Sequence, residues 1–201
     1  TIDANALDED ASKDGTQVTA GSSKSVTVKL TDQYGNEANA ASAITVKLSD
    51  TAGFEGSGTI AGGSSSTTIS WDVPQKVGTY SLTAEDVTEG VATKMQAASV
   101  SVEVIAAAPT KADITGPGYL DVNQEGTYTI TLKDANDNVA KASSDLSLTL
   151  TASPSDGVTF DPNPVTVKAN ESTATFKFKS SKAAMYTITA SGGGISSTKN
   201  V

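Results

Sequence analysis

The chain has 201 residues, enough for one or two domains that each bury a hydrophobic core, and it contains no Cys, no His and no Arg. That composition removes thiol chemistry, disulfide staples, the commonest general base and metal ligand, and the guanidinium fork that reads phosphates and base edges. Lysine supplies all 14 basic residues against 23 acidic ones, and the net charge of −9 repels nucleic acid. No apolar run reaches the roughly 18 residues that would span a bilayer.

Taken in chain order, short runs of alternating apolar and polar residues, separated by Gly, Asp, Asn and Pro, predict antiparallel strands. In the first half they fall near 16–20, 25–32, 43–50, 67–73, 78–85 and 97–105. Asn5–Ala11 has the composition for one helical turn, and no segment sustains a 3.6-residue period. Val26, Val28, Leu30 and Ile44, Val46, Leu48 take the inward faces, with Thr and Lys outward. Ile105–Thr110, a short apolar run closed by Pro109, marks a boundary and gives domains 1–108 and 109–201. Its brevity predicts limited hinge motion and copies stacked end to end. In the second half the strands fall near 112–116, 126–134, 144–152, 173–179, 184–190 and 195–201.

The two halves are copies of one pattern. Ser25–Asp32 and Thr127–Asp134 alternate identically at an offset of 102, and the same offset joins Asn36 to Asn138 and Ala38 to Ala140. It also joins Ile44, Val46 and Leu48 to Leu146, Leu148 and Leu150. Further on the offset widens to 105–106, pairing Trp71 with Phe176 and Tyr80–Ala84 with Tyr186–Ala190. Charge separates the copies: residues 1–108 hold 14 acids against 6 Lys, whereas 109–201 hold 9 against 8. The excess sits in Asp8-Glu9-Asp10, Glu85-Asp86 and Glu89, and a solvated acidic surface accounts for it.

Candidate chemistry is sparse. Nucleophilic triads lack their His and Cys, and no context supports a Ser-Lys pair. Two carboxylates suffice for a glycosidase, but sugar sites also want exposed aromatics, and the single Trp71 falls in an inward slot beside Ile69 and Val73. Gly56–Ala61 fits G-x-G-x-x-A, yet Gly62-Gly63 and three serines follow where a dinucleotide fold needs a helix, so the stretch reads as a loop. Asp134, Asn136, Asn138 and Asp145 echo the oxygen spacing of an EF-hand loop, with Val139 where Gly belongs. An Asp/Asn turn explains the same run more simply, because these side chains bond their own backbone. A second calcium possibility is convergence of Glu85, Asp86, Glu89 and Asp113 at the domain junction. Neither is needed by the fold, and the reading assigns no catalytic residue, no cofactor and no metal ligand. Asn170-Glu171-Ser172 is a glycosylation sequon by form, best read as chance.

Thr31-Asp32-Gln33-Tyr34-Gly35-Asn36 and Gly78-Thr79-Tyr80-Ser81-Leu82-Thr83-Ala84 resemble the Ig-like repeats of bacterial surface-layer proteins and large Gram-positive adhesins. The second copy departs from the motif, with Asp137 in the Gly place of the turn and Ala184 replacing the Gly before Met185-Tyr186. The resemblance spans nearly the whole chain and implies an all-β fold of two tandem immunoglobulin-like antiparallel β-sandwiches. It places Tyr80 and Tyr186 at the tyrosine corner. Where antibody domains carry the bridging Cys it sets Leu82 and Ile188, with Val28 and Ile130 as cross-sheet partners. It further implies a non-catalytic spacer or lattice module of a secreted, surface-layer-like protein at the bacterial cell wall. Its partners would be other domains or copies of that protein, or cell-wall or host glycans. The absence of an initiator Met and of a leader suits an interior segment of such a protein. An adhesin stalk or binding module is the alternative, and an accessory domain of a polysaccharide-degrading enzyme a third reading. A large exposed apolar patch would favour adhesion, and Tyr34, Phe54 and Tyr119 are its chief candidates.

Overall fold

A computed structural model describes residues 1–3, 7 and 16–201, and the helical turn read at Asn5–Ala11 lies, Leu7 apart, outside them. The chain forms two compact units, Thr1–Ile105 and Ala106–Val201. Every described element is a β-strand.

In the first unit the strands are β1 (Thr16–Thr19), β2 (Ser23–Lys29), β3 (Ile44–Asp50), β4 (Glu55–Ile60), β5 (Ser66–Asp72), β6 (Gly78–Asp86) and β7 (Ala98–Ile105). One sheet runs β1-β7-β6-β3-β4, and β2 pairs with β5 in the other. A bridge from Ile2 to Val28 extends that second sheet. Alternation does the work: Val26 and Val28 of one sheet and Val46, Leu48, Leu82 and Val102 of the other are all buried in a single cluster around Trp71.

In the second unit β8 (Lys111–Thr115), β9 (Glu125–Lys133), β11 (Val158–Asp161) and β13 (Thr173–Ser180) form the sheet β11-β13-β9-β8. Facing it, β10 (Leu146–Ser153), β12 (Val165–Val167), β14 (Thr187–Gly192) and β15 (Ile195–Asn200) form β12-β10-β14-β15. Its core is the more aromatic: Tyr128 stacks on Phe176 at 5.5 Å and meets Phe178 edge-on at 6.1 Å, while Phe160 and Tyr186 close the cluster. Leu82 with Val28, and Ile188 with Ile130, are buried in their respective cores where a disulfide would stand in an antibody domain.

Two readings of the sequence need correction. Gly56–Ala61 is not a loop: Glu55–Ile60 pairs antiparallel with β3, Val46 opposite Gly58 and Leu48 opposite Gly56. The glycines, which look like turn chemistry, are there for room. A Cβ on Gly58 would lie 2.8 Å from Ile69 Cγ1, and one on Gly56 2.9 Å from the Phe54 ring.

The second correction concerns Trp71, whose counterpart is Phe178 rather than Phe176. Trp71 stands opposite Lys24 and Phe178 opposite Gly126, whereas Ile69 faces Val26 as Phe176 faces Tyr128. A two-residue slip keeps every side chain on its proper face, so periodicity alone does not detect it.

The first strands of the two units are not counterparts. The place of Ile114, opposite Ile130, is taken in the first unit by Ile2 opposite Val28. β1 instead runs parallel along the edge of β7, Val18 opposite Val104. β15, the counterpart of β7, is the last strand of its sheet. Opposite Ala190 and Ile188 it carries Ser197 and Lys199, where β7 carries Ala98 and Val100 opposite Ala84 and Leu82.

Candidate functional site

Among the described residues, the most elaborated polar feature of each unit is the turn that follows β2 in the first and β9 in the second. In the first unit Asp32 Oδ1 accepts the backbone N–H groups of Tyr34 (2.8 Å) and Asn36 (2.9 Å), and Oδ2 accepts the Asn36 side-chain amide (3.0 Å). In the second, Asp134 Oδ1 accepts Asn136 N–H and Asn138 N–H, both at 2.9 Å, and Oδ2 accepts the Asn138 amide at 2.9 Å. The backbone closes each turn in the same way, with the N–H of the Asp donating to the carbonyl of the Asn four residues on. Gly35 and Asp137 take the left-handed conformation at φ of 85° and 64°. Asp tolerates that region better than most residues, which is why the second copy manages without the glycine.

The turns differ in what lies on them. Asp32 and Asn36 are exposed, whereas Asp134 is fully buried and Asn138 nearly so. Asp134 Oδ2 receives one further hydrogen bond, from Ala107 N–H at 3.1 Å, on the segment that leads into β8. Lys111 clamps the same turn, donating to the Ala135 carbonyl (2.9 Å) and to Asp137 Oδ1 (3.0 Å). Burial pushes the Asp134 carboxyl up, but the Asn138 amide and the N–H groups of Asn138, Ala107 and Asn136 outweigh it and hold the group below the usual carboxylate range. Asp32 is likewise held down, chiefly by the side chain and backbone of Asn36. Sequence reasoning found the Asp and Asn residues but missed Ala107 and Lys111, whose bonds to the turn join separate stretches of the chain.

The carboxylates proposed as calcium ligands serve protein donors. Asp134 offers its oxygens to four N–H groups, so a cation there would have to displace them. Asp145 accepts the Lys168 ammonium (2.8 Å) and Ala169 N–H (2.9 Å). Of the junction set, Asp86 accepts Thr88 N–H, the Thr88 hydroxyl and Met95 N–H, and Asp113 pairs with Lys133. Among the described residues no group of three or more acidic side chains is placed to hold a metal ion. Asn170 of the sequon sits at φ 65° in the turn before β13.

The aromatic positions divide. Trp71 is fully buried, and its Nε1–H donates to Asp50 Oδ2 at 2.9 Å. Both tyrosine corners form: Tyr80 donates its hydroxyl to the Lys76 carbonyl (2.9 Å) and Tyr186 to the Lys182 carbonyl (3.0 Å), each four residues upstream. Tyr34 and Tyr119 are largely exposed, at 81% and 76%. Phe54 is not a surface aromatic, because it packs on the first core. Met185, 80% exposed, was not singled out, and it neighbours a groove lined by Tyr119, Leu120, Val122, Ala184 and Tyr186.

No protein-family model matches the chain, and no curated protein does. Among solved structures, FdeC, an adhesin of Escherichia coli, aligns with a TM-score of 0.50 at 18% identity, over 91% of this chain and 59% of its own. The adhesin InvE of Yersinia pseudotuberculosis aligns at 0.40 and 18% identity, over 92% of this chain and 55% of its own. A glycosyl hydrolase family 2 member from Bacteroides cellulosilyticus aligns at 0.41 and 16% identity, over 90% and 24%. The chain thus spans little more than half the length of either adhesin structure. At such identities the likeness concerns fold alone, and with the sheet order above it defines a tandem pair of Ig-like β-sandwiches whose structural neighbours include domains of bacterial adhesins.

Proposed function

We propose that the chain is a non-catalytic stalk module of a bacterial cell-surface adhesin, a spacer that carries a binding tip away from the cell. The observation that carries this reading is the construction of each unit. Two sheets close over one apolar core, and the outward positions are filled by Thr, Ser and Lys, which need only stay hydrated. Likeness in fold to FdeC supports the adhesin setting over the surface-layer lattice that the motifs first implied. Its partners on this reading are neighbouring domains of the same protein. The test is to apply purified residues 1–201 to host cells, matrix proteins and glycan arrays, and separately to delete them from the parent adhesin. A spacer gives no saturable binding by the fragment, together with weaker adhesion by the shortened parent. A second reading, a binding module, is favoured by exposed Tyr119 and Met185 beside their groove, and saturable binding lost on Tyr119→Ala would establish it.

A further inference from the structure

The second unit has a strand that the first lacks. Between β10 and β12 the chain forms β11, which pairs with the outer edge of β13, Asp161 opposite Lys177 and Thr159 opposite Lys179. Between β3 and β4 it has only residues 51–54, too few for a strand there. With Trp71 at the place of Phe178, the positions matching Lys177 and Lys179 are Ser70 and Asp72 of β5. Their backbone groups face away from β2. Val73 N–H donates to the Ser22 carbonyl (2.9 Å) and Leu30 N–H to the Ser65 carbonyl (2.7 Å), so the odd-numbered residues of β5 bond β2. The even ones, Ser66, Thr68, Ser70 and Asp72, direct their N–H and carbonyl groups outward. Among the described residues no strand pairs with that edge. The other sheet edges are blunted in familiar ways. β1, β11 and β12 are four, four and three residues long, β8 and β15 carry Lys111 and Lys199, and β4 is interrupted by Gly56 and Gly58. β5 has none of these devices: its seven residues contain no Lys, Pro or Gly, and its ladder to β2 runs without a bulge.

We propose that the outer edge of β5 pairs antiparallel with β5 of a second copy of this chain, joining the two β2-β5 sheets into one. The composition of the strand argues for that occupant, because β5 complements itself. About a two-fold axis at Ile69, Thr68 stands opposite Ser70 of the second copy and Ser66 opposite Asp72 of the second copy. Those are the residues whose backbone groups point outward, so both strands are satisfied in one register. No charge meets a like charge along the pair, although the chain as a whole carries a net −9 that opposes association. Pairing at this edge is lateral, and it is independent of whatever the parent protein binds.

The test is sedimentation equilibrium on the full chain. Reversible dimerisation is expected by about 1 mM chain, as suits a small and transient interface. Thr68→Lys combined with Ser70→Lys sets like charges opposite each other on both sides of the axis, and it should weaken the dimer about tenfold or more. Thr68→Lys combined with Ser70→Glu sets opposite charges in the same places and should restore the dimer to at least its original strength. Thr68 and Ser70 are exposed, so both variants keep the fold, which the near-ultraviolet signal of buried Trp71 checks. A chain that stays monomeric at that concentration would overturn the proposal, and so would a dimer that the two variants affect alike.

Discussion

Trp71 and Asp50 illustrate how one buried polar atom constrains a distant residue. The indole is fully buried, so its N–H must find an acceptor, and Asp50 on β3 provides it while its other oxygen holds the Ala52 and Phe54 amides. In the second unit Phe178 replaces the Trp, and the position matching Asp50 is Ala152. Donor and acceptor have left together. Asp50→Ala is therefore expected to cost about 1–3 kcal/mol, the usual range for orphaning a buried donor. In a Trp71→Phe background the same change should cost distinctly less, leaving only the lost Ala52 and Phe54 bonds. A denaturant-melt double-mutant cycle checks this, and equal costs in both backgrounds would mean that the indole bond contributes nothing.

At the level of elements, β4 holds its place by lacking side chains. With Ile69 Cγ1 at 2.8 Å from a Cβ on Gly58, Gly58→Ala forces β4 away from β5 or Ile69 out of its rotamer. Overpacking of this kind costs about 1–3 kcal/mol. Gly62→Ala, whose nearest neighbour would stand at 3.5 Å, should cost less, and thermal melts of the two variants give the comparison. The turns set the pH response. Asp32, Asp86, Asp134 and Asp145 are all held below the ordinary aspartate value, for Asp86 mainly by the Thr88 hydroxyl and for Asp145 mainly by Lys168. Their folded-state pKa values lie below the unfolded value of about 3.9, so their contribution is complete above roughly pH 5 and disappears as pH falls through the lower folded values. Lys29, Lys133 and Lys177 are shifted up by Asp3, Asp113 and Glu125, so theirs persists through neutral pH and fades only above about pH 10.5. Melting temperature is expected to be flat from about pH 5 to 9 and to fall steeply on acidification below 4. A melting temperature that rose on acidification would contradict the assignment.

For the molecule as a whole, each unit closes its own core, and no residue is common to the two clusters. Residues 106–201 expressed alone are expected to fold, with Tyr128, Phe176 and Phe178 giving the near-ultraviolet signal of an ordered aromatic cluster. Trp71→Ala should cost the first unit about 3–5 kcal/mol, as large core truncations do, and leave that signal intact in the full chain. Loss of both units in one transition on Trp71→Ala would mean a merged core.

Much of this was legible before any coordinates. Strict period-2 alternation specifies a strand and its buried face at once, so β2, β3, β6 and β9 and their inward residues followed from Val26, Leu48, Leu82 and Ile130 alone. Offset-102 copying likewise announced two similar units, and the Asp-x-x-x-Asn spacing announced their turns. Alternation does not carry the register of pairing, because a slip of two residues preserves both faces, and only the ladder assigned Trp71 to Phe178. Nor does a glycine say whether it stands for a turn or for lack of space, which at Gly56 and Gly58 depended on where Ile69 came to rest. The fate of the Asp134 carboxylate was beyond sequence for the same reason. Its partners Ala107 and Asn138 lie on either side of it in the chain, and only the path of the backbone between them decides that donors from both directions fill a site that could otherwise have been read as one for a cation.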